Sequence, residues 1–538
     1  SIESGGNYNT VVGDEAGTAI TTGDYSTFVG YAAGDATTTG LDNTALGALA
    51  LTSNTVGAYN VAIGQSALHN NVDGSNSVAI GRLALYAQDP ASAVDMYNTA
   101  VGHGAGAAVT TGTQNTLIGG LAGDAITTGA NNVAVGISAL TANTTGSQNT
   151  AVGSGALLTN TTGAQNIASG LNAMYFNTSG DFNTAYGVAA LQANTTADNN
   201  TAVGHSALVA NTTGAQNTAV GGRSQEATTT GADNTSVGWG SLVLNTTGAS
   251  NTALGRSSLA ANTSASNNTT AGANSMQANT TGASNAAFGK GALASNTTAS
   301  NNTAVGFESL VSNTTGVNNT AVGFEAGKAV TTGPSNTFMG SFSGNTVTTG
   351  TVNSGFGYAS LSGMTGAAST NTGLGYAAGS SITSGSNNIA IGAQSLNTGR
   401  PGGQITTQSN QIGMGTGDHT HAYIQIDWTI SSDARDKTDF TPLDLGLDFV
   451  NALAPMTYRW DKRFKYGDIT ADDYDLSAQT PDGTHKEDWL DIGFKAQEVE
   501  ALEQAAGYNK NNSTNLVSDC SDDGKQMGLQ YSKFVPIL

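Results

Sequence analysis

The 538-residue chain has a single cysteine, Cys520, so no disulfide can close within it and packing or association must supply its stability. It has 17 Lys and Arg against 38 Asp and Glu, a net charge of −21. That balance excludes a nucleic-acid binder, which needs a basic stripe to neutralise phosphates. No stretch approaches the ~18 apolar residues of a membrane span. Charged residues make up 10% of the chain, against roughly a quarter in ordinary domains. No signal-peptide pattern opens the sequence; Ser1 falls in mid-repeat, and an upstream region is expected.

What the chain has instead is glycine, 72 of them, with Asn, Thr and Ser in strict order. Aligning the glycine that ends each N-T-A-V-G phrase gives 23 copies between Gly13 and Gly392, with 20 of the 22 intervals equal to 17 residues. The exceptions are a four-residue insertion around Asp89 and Pro90 and a one-residue insertion before Gly375, both expected to bulge from loops. Such a period marks a repeat architecture rather than disorder.

A consensus coil reads N-T-A-V-G-x-x-A-L-x-x-N-T-T-G-x-x. Its apolar pieces are too short for an amphipathic helix and are separated by turn residues. Two short strands and two turns per coil are expected, each coil pairing with the next in a parallel β-solenoid. At ~4.8 Å per coil, 23 coils predict a shaft of roughly 110 Å.

Counting from the aligned glycine, position +4 is Leu in 13 coils, as at Leu51, Leu140, Leu208, Leu242 and Leu310, and position +7 is then usually Asn. In seven coils +4 is Gly, and +7 is Ile20, Thr37, Val109, Ile126, Val330, Val347 or Ile382. Close-packed interiors resist both voids and overpacking, so the trade places +4 and +7 in one inward-facing cavity. Asn at +7 is expected to stack as an amide ladder. Small residues at −2, such as Ala202, Ala219 and Ala304, are read as a lateral face on which several shafts pack as a homotrimer.

The N-T-A-V-G-x-x-A array over residues 9 to about 396 resembles the head repeats of trimeric autotransporter adhesins. The resemblance implies a left-handed parallel β-roll bundled in threes. It also keeps a bacterial surface adhesin among the alternatives.

After the array, G-D-H-T-H-A-Y at 417–423 sets His419 and His421 on one side of an extended strand. On a three-fold axis six imidazoles form an octahedral cage suited to iron or a similar first-row metal. The alternative is two solvated histidines in a turn. Tyr423 to Ile430 alternates Ile424, Ile426, Trp428 and Ile430 against polar neighbours, a strand pattern.

From Ser432 to Leu538 the composition changes to 11 basic and 20 acidic residues, leaving 6 and 18 for the other 431. S-S-D-A-R-D-K at 431–437, T-Y-R-W at 457–460, G-F-K-A-Q-E-V-E at 493–500 and Y-S-K-F-V-P-I-L at 531–538 together resemble the endosialidase-type intramolecular chaperone that ends many phage tail fibres and tailspikes. The resemblance implies a self-cleaving peptidase with Ser432 as nucleophile and Lys437 as its base, Asp433 and Arg435 holding the geometry. It also implies a further helix beyond Leu538.

A serine hydroxyl is a weak nucleophile until a base takes its proton. Attack by Ser432 on the carbonyl of Ser431 closes a five-membered ring, which favours cleavage between Ser431 and Ser432 over the next bond. Asp436 stands beside Lys437, where an ion pair would slow cleavage and leave an uncut chaperone as the alternative.

The fold class is therefore mostly β: a trimeric parallel β-solenoid shaft of 17-residue coils over 1–396, a connecting loop, H-x-H segment and strand over 397–431, and a small α+β chaperone domain over 432–538. The function expected is a phage fibre in the virion, made in the host cytoplasm. It would bind a polysaccharide or protein receptor and join other tail proteins through its upstream region. The irregular coils at 86–98 and 397–410 are its expected contact sites. The rival is a glycan-degrading tailspike enzyme using Glu308 and Glu325, which share position +2 in adjacent coils about 5 Å apart, near the spacing of a retaining glycosidase pair. Stacked Thr pairs also raise ice binding, and N-T-T triplets match a glycosylation sequon but fit turn caps better.

Overall fold

Thr and Val favour extended backbone, and the glycine after them ends the run. Gly204 takes φ 133°, and a Cβ on it would stand 2.7 Å from the backbone carbonyl of Gly221, its counterpart in the next coil. Only glycine meets both conditions. In the computed structural model each phrase forms one three-residue strand, as at Thr201–Val203 and Thr218–Val220. The structure describes residues 6–397, 404–415, 419, 434–440, 442–443, 445–467, 475–509, 516–520, 527–534 and 537.

The chain divides into two compact units, Ser1–Asn318 and Asn319–Leu538. The first holds eighteen strands, from β1 (Thr10–Val12) to β18 (Thr303–Val305), each paired in parallel with the next. Register advances by one coil, Thr201 opposite Thr218 and Val203 opposite Val220. The four-residue insertion leaves it intact, since Val78 pairs with Thr99. The second unit continues with β19 (Thr320–Val322) to β24 (Ile412–Met414). Ser354 pairs with Thr372 across the one-residue insertion, and Ile389 pairs with Ile412, one strand past the twenty-third copy. The architecture is a parallel β-solenoid.

Two expectations need correction. Each coil has one strand among the described residues, not two. The A-L piece is a turn in which +2 and +4 are left-handed, Ser206 at φ 55° and Leu208 at φ 52°. Such residues cost about 1–2 kcal/mol each. Full burial of Leu208 and the hydrogen bond from its N–H to Ser224 O at 3.0 Å offset that cost.

The small residues at −2 do not form a lateral face. Ala202, Ala219 and Ala304 are fully buried inside the coils. The shared cavity is confirmed and is larger than expected, because −2 belongs to it too. Phe28, Leu117 and Phe338 occupy −2, and each has Gly at +4 in its own coil and in the coil before. A Cβ on Gly106 or Gly123 would stand 2.7 or 2.8 Å from the Leu117 side chain. One on Gly123 would also stand 2.7 Å from Ile126 at +7. Three positions trade volume, not two.

Two amide ladders line the same interior. At +7, Asn177 Nδ2 donates to Asn160 Oδ1, and Asn194 Nδ2 to Asn177 Oδ1, both at 2.7 Å. At −4, Asn Oδ1 accepts the next coil's Asn N–H, as from Asn217 to Asn200 at 3.0 Å. The first Thr of each triplet donates its hydroxyl to the Thr carbonyl one coil on, as from Thr195 to Thr212 at 3.1 Å. The +7 Asn is fully buried in coil after coil. The triplets therefore cap and link backbone, as the turn reading expects.

A candidate folding and self-cleavage module

The C-terminal segment builds a second kind of core. Helix α1 (Leu447–Ala452) leads into β25 (Met456–Tyr458), which pairs antiparallel with β26 (Asp491–Gly493). Helix α2 (Ala496–Ala505) follows, rich in Ala, Gln, Glu and Leu, all good helix formers. An antiparallel pair, β27 (Ser518–Cys520) and β28 (Met527–Leu529), comes next. Phe449, Leu453, Val499, Val517 and Phe534 form the buried cluster.

The separated sequence motifs meet in this core. T-Y-R-W supplies the last two residues of β25, and G-F-K-A-Q-E-V-E the last residue of β26 and the first half of α2. Phe494 packs on Phe534 with ring centroids 5.2 Å apart, and its N–H donates to Tyr531 Oη at 3.2 Å. Trp460 Nε1 donates to Asp491 Oδ2 at 3.1 Å, and Lys462 pairs with Glu487 at 3.3 Å. Burial first, then the Asp491 carboxylate, push the Tyr458 phenol above its ordinary value.

Sequence reasoning missed Glu503. It is fully buried, and its carboxylate accepts from Val517 N–H at 2.5 Å, from Ser518 N–H at 3.1 Å and from the Ser518 hydroxyl. It ties α2 to the start of β27. Val499, four residues before it on the same helix face, was the signal available.

Of the expected catalytic group, Arg435 and Lys437 are described. Arg435 lies in the 3-10 turn Ala434–Asp436, and Lys437 N–H closes that turn on Ala434 O at 3.3 Å. Both residues are exposed. Ser431, Ser432 and Asp433 lie outside the described residues, as does the side chain of Asp436. A groove between α1 and α2, lined by Leu453, Phe494, Lys495, Glu498, Val499 and Leu502, holds neither Arg435 nor Lys437.

His419 is exposed, and its ring lies over Gly415, where a Cβ would stand 3.3 Å from Nδ1. His421 and the 423–430 strand lie outside the described residues. Among the described residues no three His, Cys, Asp or Glu side chains group as a metal site. Within the second unit, Glu325 is engaged by Lys328 Nζ at 2.9 Å. No helix of the described residues is long and apolar enough to cross a membrane.

Residues 432–508 match the family model described as chaperone of endosialidase. No curated protein and no solved structure matches the chain. The match begins at the serine singled out in the sequence and takes in the first three motifs; the Y-S-K-F stretch falls beyond it yet packs in the same core. Domains of this family act as intramolecular chaperones that cleave themselves. The chain thus carries, after a long parallel β-solenoid, a C-terminal chaperone-of-endosialidase domain.

Proposed function

We propose that the chain is a trimeric virion fibre, most simply a bacteriophage tail fibre, that attaches the particle to a host surface. The observation that carries this reading is a chaperone-of-endosialidase domain following a parallel β-solenoid. Identical coils offer nearly the same contacts after a one-coil slip, so three solenoids need their ends aligned before they associate. The C-terminal domain supplies that alignment. Receptor contact falls on the irregular coil at 86–98, where a four-residue insertion breaks the repeat and Val94 is exposed.

In the cleavage step, the Ser432 hydroxyl gives its proton to Lys437, acting as the base, and attacks the carbonyl carbon of Ser431. The peptide C–N bond breaks as the amine of Ser432 leaves with a proton, and an ester joins Ser431 to the Ser432 side chain. Water then hydrolyses the ester, freeing the C-terminal domain. Intact-mass measurement of the wild type and Ser432→Ala tests this. The wild type is expected as two fragments and the variant as one full-length chain; a wild type that stays full-length would overturn self-cleavage. Metal analysis of the purified trimer, with His419→Ala and His421→Ala as controls, tests the six-imidazole site. Iron or another first-row metal, lost in both variants, is the expected result.

A further inference from the structure

The strand residues at −3 and −1 point away from the interior that −2 fills. In the first unit the −1 side chain is apolar in every strand but one, the exception being Ser169. Eleven of these side chains are 37–57% exposed, among them Val12, Leu46, Ile118, Tyr186, Val237 and Phe288. The −3 row beside them is Thr, Val, Ile or Ala throughout, and no charged residue stands at either position. The second unit repeats the pattern, with Met339, Phe356, Leu374 and Met414 exposed at −1.

Eleven such side chains, each about two-fifths exposed, present on the order of 600 Å² before the half-buried members are added, and ~300–600 Å² is already the largest patch on a typical monomer. At two places the row compensates in volume. Where −1 shrinks to Ser169, −3 of the same strand grows to Ile167 and the next coil carries Tyr186. Where −1 grows to Phe288, −3 shrinks to Ala286 and the preceding coil carries Ala271. Solvent does not enforce such a trade; a close-packed contact does.

We propose that this outer row is the face on which parallel copies of the chain pack against one another about a common axis. A second copy is the occupant that matches it, because the same chain repeats the same side-chain row with the same coil spacing over the same length. Charge points the same way. A chain of net charge −21 repels its copies, and this face carries none of that charge. That the copies number three rests on the fibre reading above; the choice of face does not.

The test uses the full chain. Val203→Asp with Val237→Asp charges the row, and Thr213→Asp with Thr230→Asp charges exposed turns of nearby coils. Sedimentation is expected to give trimers for the wild type and the turn variant. The row variant should dissociate at a concentration at least roughly a hundredfold higher, since buried carboxylates must be desolvated. Should the row variant fail to fold, a Cys520→Ser background with Val220→Cys or Thr213→Cys and a short bismaleimide gives a second readout. Cross-linking between copies is expected at 220 and not at 213. A trimeric wild type whose row variant stays assembled, or which cross-links at 213 instead, overturns the face and leaves the fibre reading standing. A monomeric wild type overturns both.

Discussion

A Cβ on Gly34 would stand 2.8 Å from two ring carbons of Phe28. Gly34 therefore exists to admit that ring. Gly34→Ala is expected to destabilise the first unit by roughly 2–4 kcal/mol, adding overpacking to the cost of a left-handed residue at φ 58°. Phe28→Ala alone opens a cavity worth about 3–5 kcal/mol. Combining Phe28→Ala with Gly34→Leu and Thr37→Asn rebuilds the consensus in that coil and is expected to cost less than Phe28→Ala alone. Calorimetric melting of the four proteins checks the coupling, and a triple variant no more stable than Phe28→Ala would refute a shared cavity.

The +7 amide ladder breaks at Thr228. Asn211 Oδ1, Gln225 Oε1 and Thr228 Oγ1 are buried there without a hydrogen-bond partner. Gln225→Leu with Thr228→Asn restores the consensus and is expected to stabilise the chain by about 1–3 kcal/mol, the scale of a buried polar group left unsatisfied. Asn177→Leu, which breaks an intact stretch, should cost a similar amount. Chemical denaturation followed by tryptophan fluorescence at Trp239 would show both shifts; equal stability of all three proteins would argue against the ladder.

Burial, the dominant influence, raises the Asp124 carboxyl above the ordinary carboxylate range, and its Oδ1 has no partner. A raised folded-state pKa means that the protonated form suits the fold. The contribution is fully favourable below the unfolded-state value and is lost as pH rises through the folded-state value. Asp124→Asn is therefore expected to be more stable than the wild type at neutral pH, by under about 1 kcal/mol given partial exposure. The difference should vanish below pH ~3. Melting temperatures at the two pH values decide it, and a variant less stable at neutral pH would contradict the assignment.

Glu503 holds two backbone N–H groups and a hydroxyl in the C-terminal core. Glu503→Ala leaves them unpaired and is expected to cost about 3 kcal/mol or more. If that domain aligns the chains, the variant should also yield less trimer from refolding while a trimer assembled beforehand stays intact. Refolding yield measured beside dissociation of preformed trimer separates the two effects.

Much of this fold was legible because a strict period leaves few architectures, and because Leu208 and Asn211 trade with Gly and Val at the same places in other coils. Which strand residues face inward was not legible. Ala202 and Val203 are both apolar, and both faces of the strand are apolar, so alternation of polarity gave no direction; size alone separates them. The second expected strand failed because Leu208 pairs axially from a left-handed turn, which composition does not distinguish from an extended one. In the C-terminal domain the motifs were legible, while Glu503 looked like any other charge in an acidic segment. Its partners Val517 and Ser518 are local to it only in space.

The glycine of each coil rests on the glycine of the next, and every strand hands over to an equivalent strand. Removing or copying a consensus coil between consensus neighbours restores the same neighbours on either side of the join. Length is thus the property that heredity can edit most cheaply here. A lineage can set the number of coils by duplicating stretches of coding sequence wherever consensus coils meet.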